Sequence, residues 1–428
     1  MRRVFFLLIL VLVIVFSITV YLSSYKVRIM DERLELSSSE SIFSRLKMLA
    51  KIYPDKIVNL VDEKSQMTWS YKWKDLVGLE IKVDKTYQNL NTLYIKIASL
   101  FGKYTNIPIV FAYSSELLNT RLKNISRDMD FEPVDAYIKQ DGDFKKVIPH
   151  KNGLSLKITS SLDIIKKNIG KNNNLITLDV EETIPEKDTK TLLKEHNIME
   201  IISKFTTEYN PDNLNRVVNL KLASSKLDHI IIRPGQTLSF NKFVGNRTLA
   251  AGFLKAPVIL RGKLVDGIAG GICQVTSTLY NALLLADIKI EKRYPHSIYD
   301  PTWAYTLPGF DAAVAYPYKD FVFTNNKPFN IMLEFEFNDN LITCIVMGKD
   351  KLPYEIKLVT GKVEKIPFAV KTLYSDKLNK GEEKIVQHGV NGYKAESLMI
   401  RLKESGEEKC LLSKDKYLEY DKIIKIGK

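Results

Sequence analysis

Apolar residues along this chain recur at helical spacing in a few segments and alternate with polar residues in many others. The clearest helical stripe runs from Val275 to Ala286, where apolar positions fall at i, i+4, i+7, i+8 and i+11. We expect Asp287 to end this helix, because aspartate tolerates the left-handed backbone that helix ends often need. The same spacing predicts further helices near residues 42–49, 87–100, 114–123, 160–169 and 213–226.

Strand-like alternation dominates elsewhere. It predicts a hairpin across the Asp141-Gly142 turn and strands at 311–314 and 320–323. From Tyr354 onward helical periodicity is almost absent, and glycines separate the strand-like runs. The predicted fold class is therefore α+β, with a membrane anchor helix, a mixed α+β N-terminal domain, a second mixed α+β domain and a small all-β C-terminal module.

The N-terminal run from Val4 to Leu22 is apolar and uncharged, and it is long enough to span a bilayer as a helix. Basic residues flank it on both sides, so charge alone orients it weakly. Bulky residues fill its end where a signal peptidase would need small ones, which favours an uncleaved signal anchor over a removed signal peptide. We expect a single-pass protein of the cell membrane with the bulk of the chain extracellular.

Four segments follow from these patterns. Residues 1–25 form the cytoplasmic N-terminus and anchor, residues 26–195 the first domain, residues 196–347 the second, and residues 348–428 a linker and the β module. The composition, with 45% hydrophobic and 26% charged residues, is that of domains able to bury real cores.

The chain carries a net charge of +13, which suits anionic partners such as lipid headgroups or cell-wall polymers. Acidic residues are interleaved with the lysines throughout, so a solvated surface is the simpler interpretation of any one cluster. The sequence contains no nucleic-acid motif, no metal-ligand spacing and no phosphate-binding glycine loop, so we expect no cofactor and no metal. Its three cysteines do not form a disulfide framework, although a Cys344–Cys410 bridge would leave Cys273 as the odd thiol.

The segment from Gly267 to His296 holds the densest glycine cluster and a cysteine directly after it. Gly270 and Gly271 allow a sharp turn into the predicted helix, so Cys273 should lie in its first turn. Free N–H groups and the helix dipole there favour a thiolate, and a nearby histidine would favour it further. The alternative is that the glycines only allow tight packing and that Cys273 is a small buried hydrophobe.

Residues 215–335 resemble the VanW family, named for a gene in vancomycin-resistance clusters. The resemblance is carried by an ordered series of segments: Asn215-Arg216-Val217, Pro234 to Asn241, Val244 to Thr248, Gly252-Phe253, Ala256 to Ile259, Gly270 to Val275, Thr278 to Ala282, Pro295-His296-Ser297, Asp311-Ala312 and Asp320-Phe321. The family usually has glycine where this chain has Ala269 and Asp287.

The region before residue 195, with its hairpin and helix at 131–169, resembles the peptidoglycan-binding domain that often precedes VanW domains. The C-terminal module resembles a G5 domain, an extracellular β module linked to cell-wall or N-acetylglucosamine binding. Together these resemblances imply an anchored envelope protein of a Gram-positive bacterium, with peptidoglycan or another wall polymer as partner and a link to glycopeptide resistance or wall maintenance. They supply no reaction.

Three functions stay open at this stage. The first is a non-catalytic envelope protein that binds peptidoglycan through its first and last domains. The second is a Cys–His acyl-transfer enzyme, transpeptidase-like or amidase-like, acting on wall peptides. In that enzyme Cys273 would be the nucleophile and His296 the base, with Asp311 or Asp300 orienting the histidine.

The third is a cleft that simply binds a wall peptide, with Arg247 or Arg261 meeting a carboxylate. In the acyl-transfer enzyme, the second of these functions, either Gln274 or a backbone N–H of the first helical turn is expected to stabilise an oxyanion. The substrate-binding residues predicted for the cleft are Gly270, Gly271, Gln274, Ser277, Arg247 and Asn241. Each also has a purely structural interpretation, as a cap, a turn or a packing residue.

Overall fold

The computed structural model of the chain describes residues 2–260 and 263–428. Arg261, predicted to meet a carboxylate, lies outside these residues. The helices are α1 (Arg2–Leu22), α2 (Ser39–Ile52), α3 (Trp73–Val77), α4 (Val83–Gln88), α5 (Thr92–Leu100), α6 (Ser115–Met129), α7 (Ile158–Asn168), α8 (Thr189–Glu195), α9 (Leu214–Leu227), α10 (Phe240–Val244) and α11 (Ile272–Leu285).

The strands are β1 (Tyr25–Ile29), β2 (Glu32–Leu36), β3 (Ile57–Val61), β4 (Thr68–Lys72), β5 (Glu80–Ile81), β6 (Thr105–Asn106), β7 (Phe111–Ala112), β8 (Tyr137–Asp141), β9 (Phe144–Ile148), β10 (Gly153–Leu156), β11 (Leu175–Thr177), β12 (Val180–Thr183), β13 (Glu200–Glu208), β14 (Ile230–Ile232), β15 (Thr237–Ser239), β16 (Lys255–Leu260), β17 (Lys263–Ile268), β18 (Lys289–Lys292), β19 (Val322–Thr324), β20 (Ile331–Asn338), β21 (Leu341–Gly348), β22 (Glu355–Ile366), β23 (Val370–Ser375), β24 (Glu383–Gln387), β25 (Gly392–Lys403), β26 (Gly406–Tyr417) and β27 (Lys422–Gly427).

Residues 1–134 and 151–185 form one compact unit. Its short sheets, β2-β1-β6 and β11-β3-β4, are covered by amphipathic helices such as α6, which buries Leu118, Leu122 and Ile125. Ser114 caps α6 through its side chain, which accepts the N–H of Leu117. Within the described residues, α1 is the helix that is long and apolar enough to cross a membrane.

Residues 135–150 and 186–428 form the second compact unit. Its main sheet has six strands in the order β13-β21-β20-β14-β9-β8. The predicted Asp141-Gly142 hairpin is present as β8 and β9, and β9 pairs with β14 through Ile230 and Ile231. The hairpin was assigned to the first domain from the sequence, and that boundary stays a prediction.

Helix α11 lies against this sheet and is buried along nearly its whole length. It contacts β13 and β21 through the apolar stripe that the sequence predicted, including Val275, Leu279 and Leu283, all fully buried. Such all-round burial explains why threonine, serine and asparagine on this helix must find hydrogen-bond partners inside the protein. The helix is therefore a rigid base for any residue in its first turn.

The C-terminal module consists of two three-stranded sheets, β22-β25-β26 and β23-β27-β24. The mixed α+β fold and this all-β end are confirmed. The predicted strand at 311–314 is wrong, because this segment is extended but pairs with no strand in the described chain. The predicted strand at 320–323 begins only at Val322, since the Asp320 side chain binds the N–H groups of Asn241 and Phe321 instead.

Candidate active site

The turn into α11 is fixed by backbone geometry that few residues adopt. Gly271, the N-cap of α11, has φ +110°, in the region that favours glycine. At Gly270 a Cβ would lie 2.6 Å from the carbonyl oxygens of both Ala256 and Pro257, so no side chain fits there. Ala269 has φ +64°, the conformation in which the family usually has glycine. Cys273 follows as the second residue of the helix.

Three side chains meet beside this turn. The His296 imidazole Nδ1 lies 2.6 Å from Oδ2 of Asp311, and the His296 backbone N–H donates to the same oxygen at 2.7 Å. The His296 side chain lies near enough to the Cys273 thiol to lower the pKa of that thiol, and the thiol itself donates to the Val314 carbonyl at 3.6 Å. The Val314 N–H lies 3.5 Å from the Cys273 sulfur and also points at it as a donor. The three side chains are thus arranged in space as a nucleophile, a base and a carboxylate that orients the base would be: Cys273, His296 and Asp311.

The electrostatics of the three groups favour a charged pair. Burial alone would raise the pKa of the Cys273 thiol, but the nearby His296, with the Val314 N–H, holds that pKa below its ordinary value. Burial alone would lower the pKa of His296, but Asp311 and Cys273 raise it to about 10. Despite burial, the charge and hydrogen bond of His296, together with Arg293 and Tyr417, lower the pKa of Asp311 to about 2. Both shifts run in the direction that favours a thiolate–imidazolium pair over a neutral thiol and imidazole.

A second layer of polar groups surrounds Asp311. Arg293 donates from Nη2 to Oδ1 of Asp311 at 2.9 Å and from Nε to its backbone carbonyl at 2.6 Å. Arg293 also forms an ion pair with Asp415 of the C-terminal module through Nη1. The Tyr417 hydroxyl donates to Oδ1 of Asp311 at 2.6 Å and accepts the N–H of Gly309 at 2.7 Å. Asp311 is therefore fixed from both sides by buried groups.

Cys273 lines a cavity of about 1410 Å³. Cys273 itself is partly exposed, and the His296 side chain is 24% exposed. The alternative interpretation, in which Cys273 is only a small buried hydrophobe, therefore describes the structure less well than a cysteine at a cavity. The other described residues that line this cavity include Arg216, Arg247, Tyr299, Trp303, Tyr305 and Tyr316.

The structure sorts the remaining predicted residues. Gly270, Gly271 and Arg247 line the cavity. Gln274 also belongs to the cavity lining but is only 1% exposed. Its side chain accepts a hydrogen bond from Arg216 and donates to the Thr207 hydroxyl and to the Glu208 carbonyl. The Gln274 amide is therefore fully engaged and does not serve as an oxyanion donor. The Cys273 backbone N–H has no protein acceptor among the described residues, which leaves it as the candidate donor.

Two predictions of substrate contact need correction. Ser277 is fully buried; its hydroxyl donates to the Cys273 carbonyl and accepts the Ala312 N–H, so it anchors the segment that bears Asp311. Asn241 is also buried, and its carbonyl oxygen accepts from Nη2 of Arg247 at 2.7 Å.

The alternative orienting group, Asp300, does not contact His296. Its carboxylate instead binds the N–H and hydroxyl of Thr302 in a turn. Asp311 is therefore the carboxylate that the fold brings to His296.

Several site residues were missed by sequence reasoning. Arg216 and Tyr305 line the cavity, and Arg293, Asp415 and Tyr417 hold Asp311. Arg216 lies in the Asn215-Arg216-Val217 segment of the family resemblance, which was the available signal for it. Asp415 and Tyr417 carried none, since they lie over a hundred residues away in the C-terminal module.

The other cysteines are structural or peripheral. All three cysteines are free, so no Cys344–Cys410 bridge exists. Cys344 is fully buried, and burial raises the pKa of its thiol well above the ordinary value. Within residues 2–260 and 263–428 there is no cluster of side chains suited to a metal ion.

Comparison with known proteins matches three successive family models. The model described as VanW like protein matches residues 215–347, a peptidoglycan binding domain model matches residues 63–177, and the G5 domain model matches residues 357–428. The chain is 30% identical over 251 residues to "Uncharacterized protein YoaR" of Bacillus subtilis (strain 168), covering 58% of this chain and 77% of that protein. The chain belongs to the VanW-like family. The triad described above lies within the VanW-like region.

A second relative of this VanW-like chain is "Vancomycin B-type resistance protein VanW" of Enterococcus faecalis (strain ATCC 700802 / V583). The identity is 26% over 153 residues, which cover 35% of this chain and 55% of that protein. Among solved structures, the IgA1 protease G5 domain is 21% identical, with 18% of this chain and 92% of that chain covered and a TM-score of 0.15. The family matches place this VanW-like protein among cell-wall-associated proteins.

Proposed function

We propose that this chain is a membrane-anchored, extracytoplasmic enzyme that transfers acyl groups of wall peptides through Cys273. The observation that carries the proposal is the Cys273–His296–Asp311 constellation at the wall of an open cavity. A protein that only bound peptidoglycan would have no use for a cysteine whose pKa is lowered by a histidine. Of the functions considered, the acyl-transfer enzyme therefore fits best.

In the first half-reaction the Cys273 thiolate attacks the carbonyl carbon of an amide, and the backbone N–H of Cys273 donates to the developing oxyanion. The C–N bond then breaks, the His296 imidazolium gives its proton to the departing amine, and a thioester remains on Cys273. Asp311 keeps the imidazole oriented throughout, because its Oδ2 holds both the ring Nδ1 and the backbone N–H of His296.

In the second half-reaction an amine or a water attacks the thioester. The neutral His296 accepts the attacker's proton, the C–S bond breaks and the thiolate returns. An amine acceptor gives transpeptidation, and water gives hydrolysis. The family matches to peptidoglycan binding and G5 domains support wall peptides as the substrate class.

The location is part of the same proposal. Helix α1 provides an 18-residue span of high mean hydropathy, from Phe5 to Leu22, that suits a signal anchor. With the anchor in the membrane, residues beyond it reach the wall from the outer face. Protease treatment of intact cells should degrade the chain after this span and leave a cytoplasmic control protein whole; full protection of the chain would contradict this location.

The test uses the full-length chain in detergent with soluble wall peptides prepared by glycosidase digestion of peptidoglycan. Mass spectrometry should find an acyl adduct on Cys273 and new products, and Cys273→Ser should lower turnover by at least about 10³-fold. The matched control is Cys410→Ser, which should keep full activity. If Cys273→Ser and the unchanged chain give the same products, or neither gives any adduct or product, the enzyme proposal fails.

Sedimentation of the Cys273→Ser variant with insoluble wall measures binding alone, and so tells a loss of chemistry from a loss of binding. The peptidoglycan binding domain match at residues 63–177 lies outside the triad, so we expect wall sedimentation to be unaffected by this substitution.

A further inference from the structure

The loop that carries His296 and Asp311 is held by the C-terminal module at several separate points. The Ser297 carbonyl accepts the backbone N–H of Leu418 at 2.7 Å, directly after the histidine. The Tyr299 ring packs against Tyr393 and Tyr417, with centroid distances of 5.7 and 5.4 Å. These contacts therefore fix the backbone of the loop at Ser297 and a side chain of the loop at Tyr299.

The other end of the same loop is held as firmly. Gly309, with φ +91°, approaches β25 so closely that a Cβ would lie 2.8 Å from the Ser397 Cβ. Its N–H donates to the Tyr417 hydroxyl, which in turn donates to Asp311. A buried tyrosine hydroxyl with both a donor and an acceptor in place is fully satisfied, so its orientation is determined.

The charge balance around Asp311 also depends on the module. The Arg293 side chain is 7% exposed and lies between Asp311 and Asp415, whose side chains are 6% and 7% exposed. A buried arginine shared by two carboxylates loses one of its two ion pairs when either carboxylate is removed, which weakens its hold on the other. Asp415 in turn accepts the Ser413 hydroxyl at 3.0 Å, which fixes it on β26.

A separate contact joins the module to the far end of α11. Asp287, with φ +54°, accepts from Arg401 at 2.7 Å and from the Tyr354 hydroxyl at 2.5 Å. Asp287 lies fourteen positions after Cys273, which is roughly 20 Å along the helix axis. This contact secures the docked module without touching the site.

From these contacts we infer that the C-terminal β module is a working part of the active site, in which Tyr417 and Asp415 position Asp311 and Arg293 so that Asp311 orients His296. The inference rests on the proposed function. It gives the G5-like module a second role besides any binding to the wall. Tyr417 and Asp415 are positioning residues, since neither contacts Cys273 or a substrate.

The test compares Tyr417→Phe and Asp415→Asn with Tyr393→Phe in the full-length chain. Tyr393 is the cross-strand partner of Tyr417, and its ring contact with Tyr299 is preserved by phenylalanine. Turnover of wall peptides and the pH profile of Cys273 alkylation are both measured. We expect Tyr417→Phe to lower kcat by about 10-fold, as for the loss of one hydrogen bond to a charged group, with KM nearly unchanged.

The alkylation profile distinguishes positioning from general stability. Weakening the hold on Asp311 should move the inflection of the Cys273 profile to higher pH in Tyr417→Phe and Asp415→Asn. Arg401→Met, which breaks the distant contact with Asp287, should lower the melting temperature but leave the inflection in place. The inference is overturned if Tyr417→Phe and Asp415→Asn match Tyr393→Phe in both kcat and profile. The unchanged chain's own turnover reports separately on the proposed function.

Discussion

Replacing Asp311 with asparagine tests the network at its most connected point. Oδ2 of Asp311 accepts two bonds from His296, and Oδ1 accepts one each from Arg293 and Tyr417. Asparagine offers one acceptor oxygen, so in either orientation its NH₂ group faces two donors. The substitution therefore loses two bonds and leaves Arg293 short of one carboxylate.

The magnitude follows from these contacts. Hydrogen bonds to a charged group contribute about 1.5–3 kcal/mol each, and breaking a buried ion pair costs about 3–5 kcal/mol. Because the two estimates describe the same contacts, we expect Asp311→Asn to reduce the free energy of unfolding by about 3–5 kcal/mol. For a unit of this size that corresponds to a melting temperature lower by roughly 6–20 °C.

Activity should fall further than stability alone explains. Without the carboxylate, His296 loses the partner that selects its tautomer and raises its pKa, so turnover should drop by about 10²–10⁴-fold at a temperature where the variant is folded. Thermal melting by circular dichroism and turnover of wall peptides measure the two effects. The matched control is Asp300→Asn, a cavity-lining aspartate that only binds Thr302. The reasoning is refuted if Asp311→Asn melts and turns over like the unchanged chain, or if Asp300→Asn reproduces its losses.

Two further predictions concern the glycine turn and the pH range of stability. Gly270→Ala forces a Cβ onto two backbone carbonyls at 2.6 Å, so its melting temperature should fall more than that of Gly142→Ala, which meets open space at φ +57° and costs about 1–2 kcal/mol; equal shifts would contradict the packing argument. The Asp311 pKa of about 2 lies below its usual 3.8, so the stability it contributes is present above pH 3.8 and lost as pH falls towards 2. The His296 pKa of about 10 lies above its usual 6.5, so its contribution is full below pH 6.5 and lost as pH rises through 10. Melting temperatures should therefore decline more steeply from pH 4 to 2 in the unchanged chain than in Asp311→Asn, and parallel declines would count against the lowered carboxyl pKa.

Local features of the sequence predicted the backbone setting of Cys273 well. Paired glycines before an apolar stripe predicted a helix with Cys273 in its first turn. Ala269 and Asp287, noted as departures from family glycines, both have positive φ. In each case the information lies within a few residues, where backbone sterics decide the conformation.

Features that depend on long-range contacts were not predictable in the same way. Helical spacing places Ser277 one turn after Cys273 on the same face of the helix. At Ser277, however, this face packs against the backbone of Ala312 instead of lining the cavity. Strand alternation in the C-terminal module predicts its sheets, but it does not predict that they contact the loop that carries His296 and Asp311. The contacts of Asp415 and Tyr417 therefore emerged only from the tertiary structure.

The pH dependence of Cys273 alkylation tests the central claim most directly. Iodoacetamide labelling of the full-length chain, resolved for each cysteine by mass spectrometry, gives the profile, and buried Cys344 should stay unlabelled while the chain is folded. The thiolate–imidazolium pair predicts an inflection for Cys273 below the ordinary thiol value of about 8.5. It also predicts that His296→Ala moves this inflection upward. An inflection at or above the ordinary value that His296→Ala leaves unchanged would contradict the account.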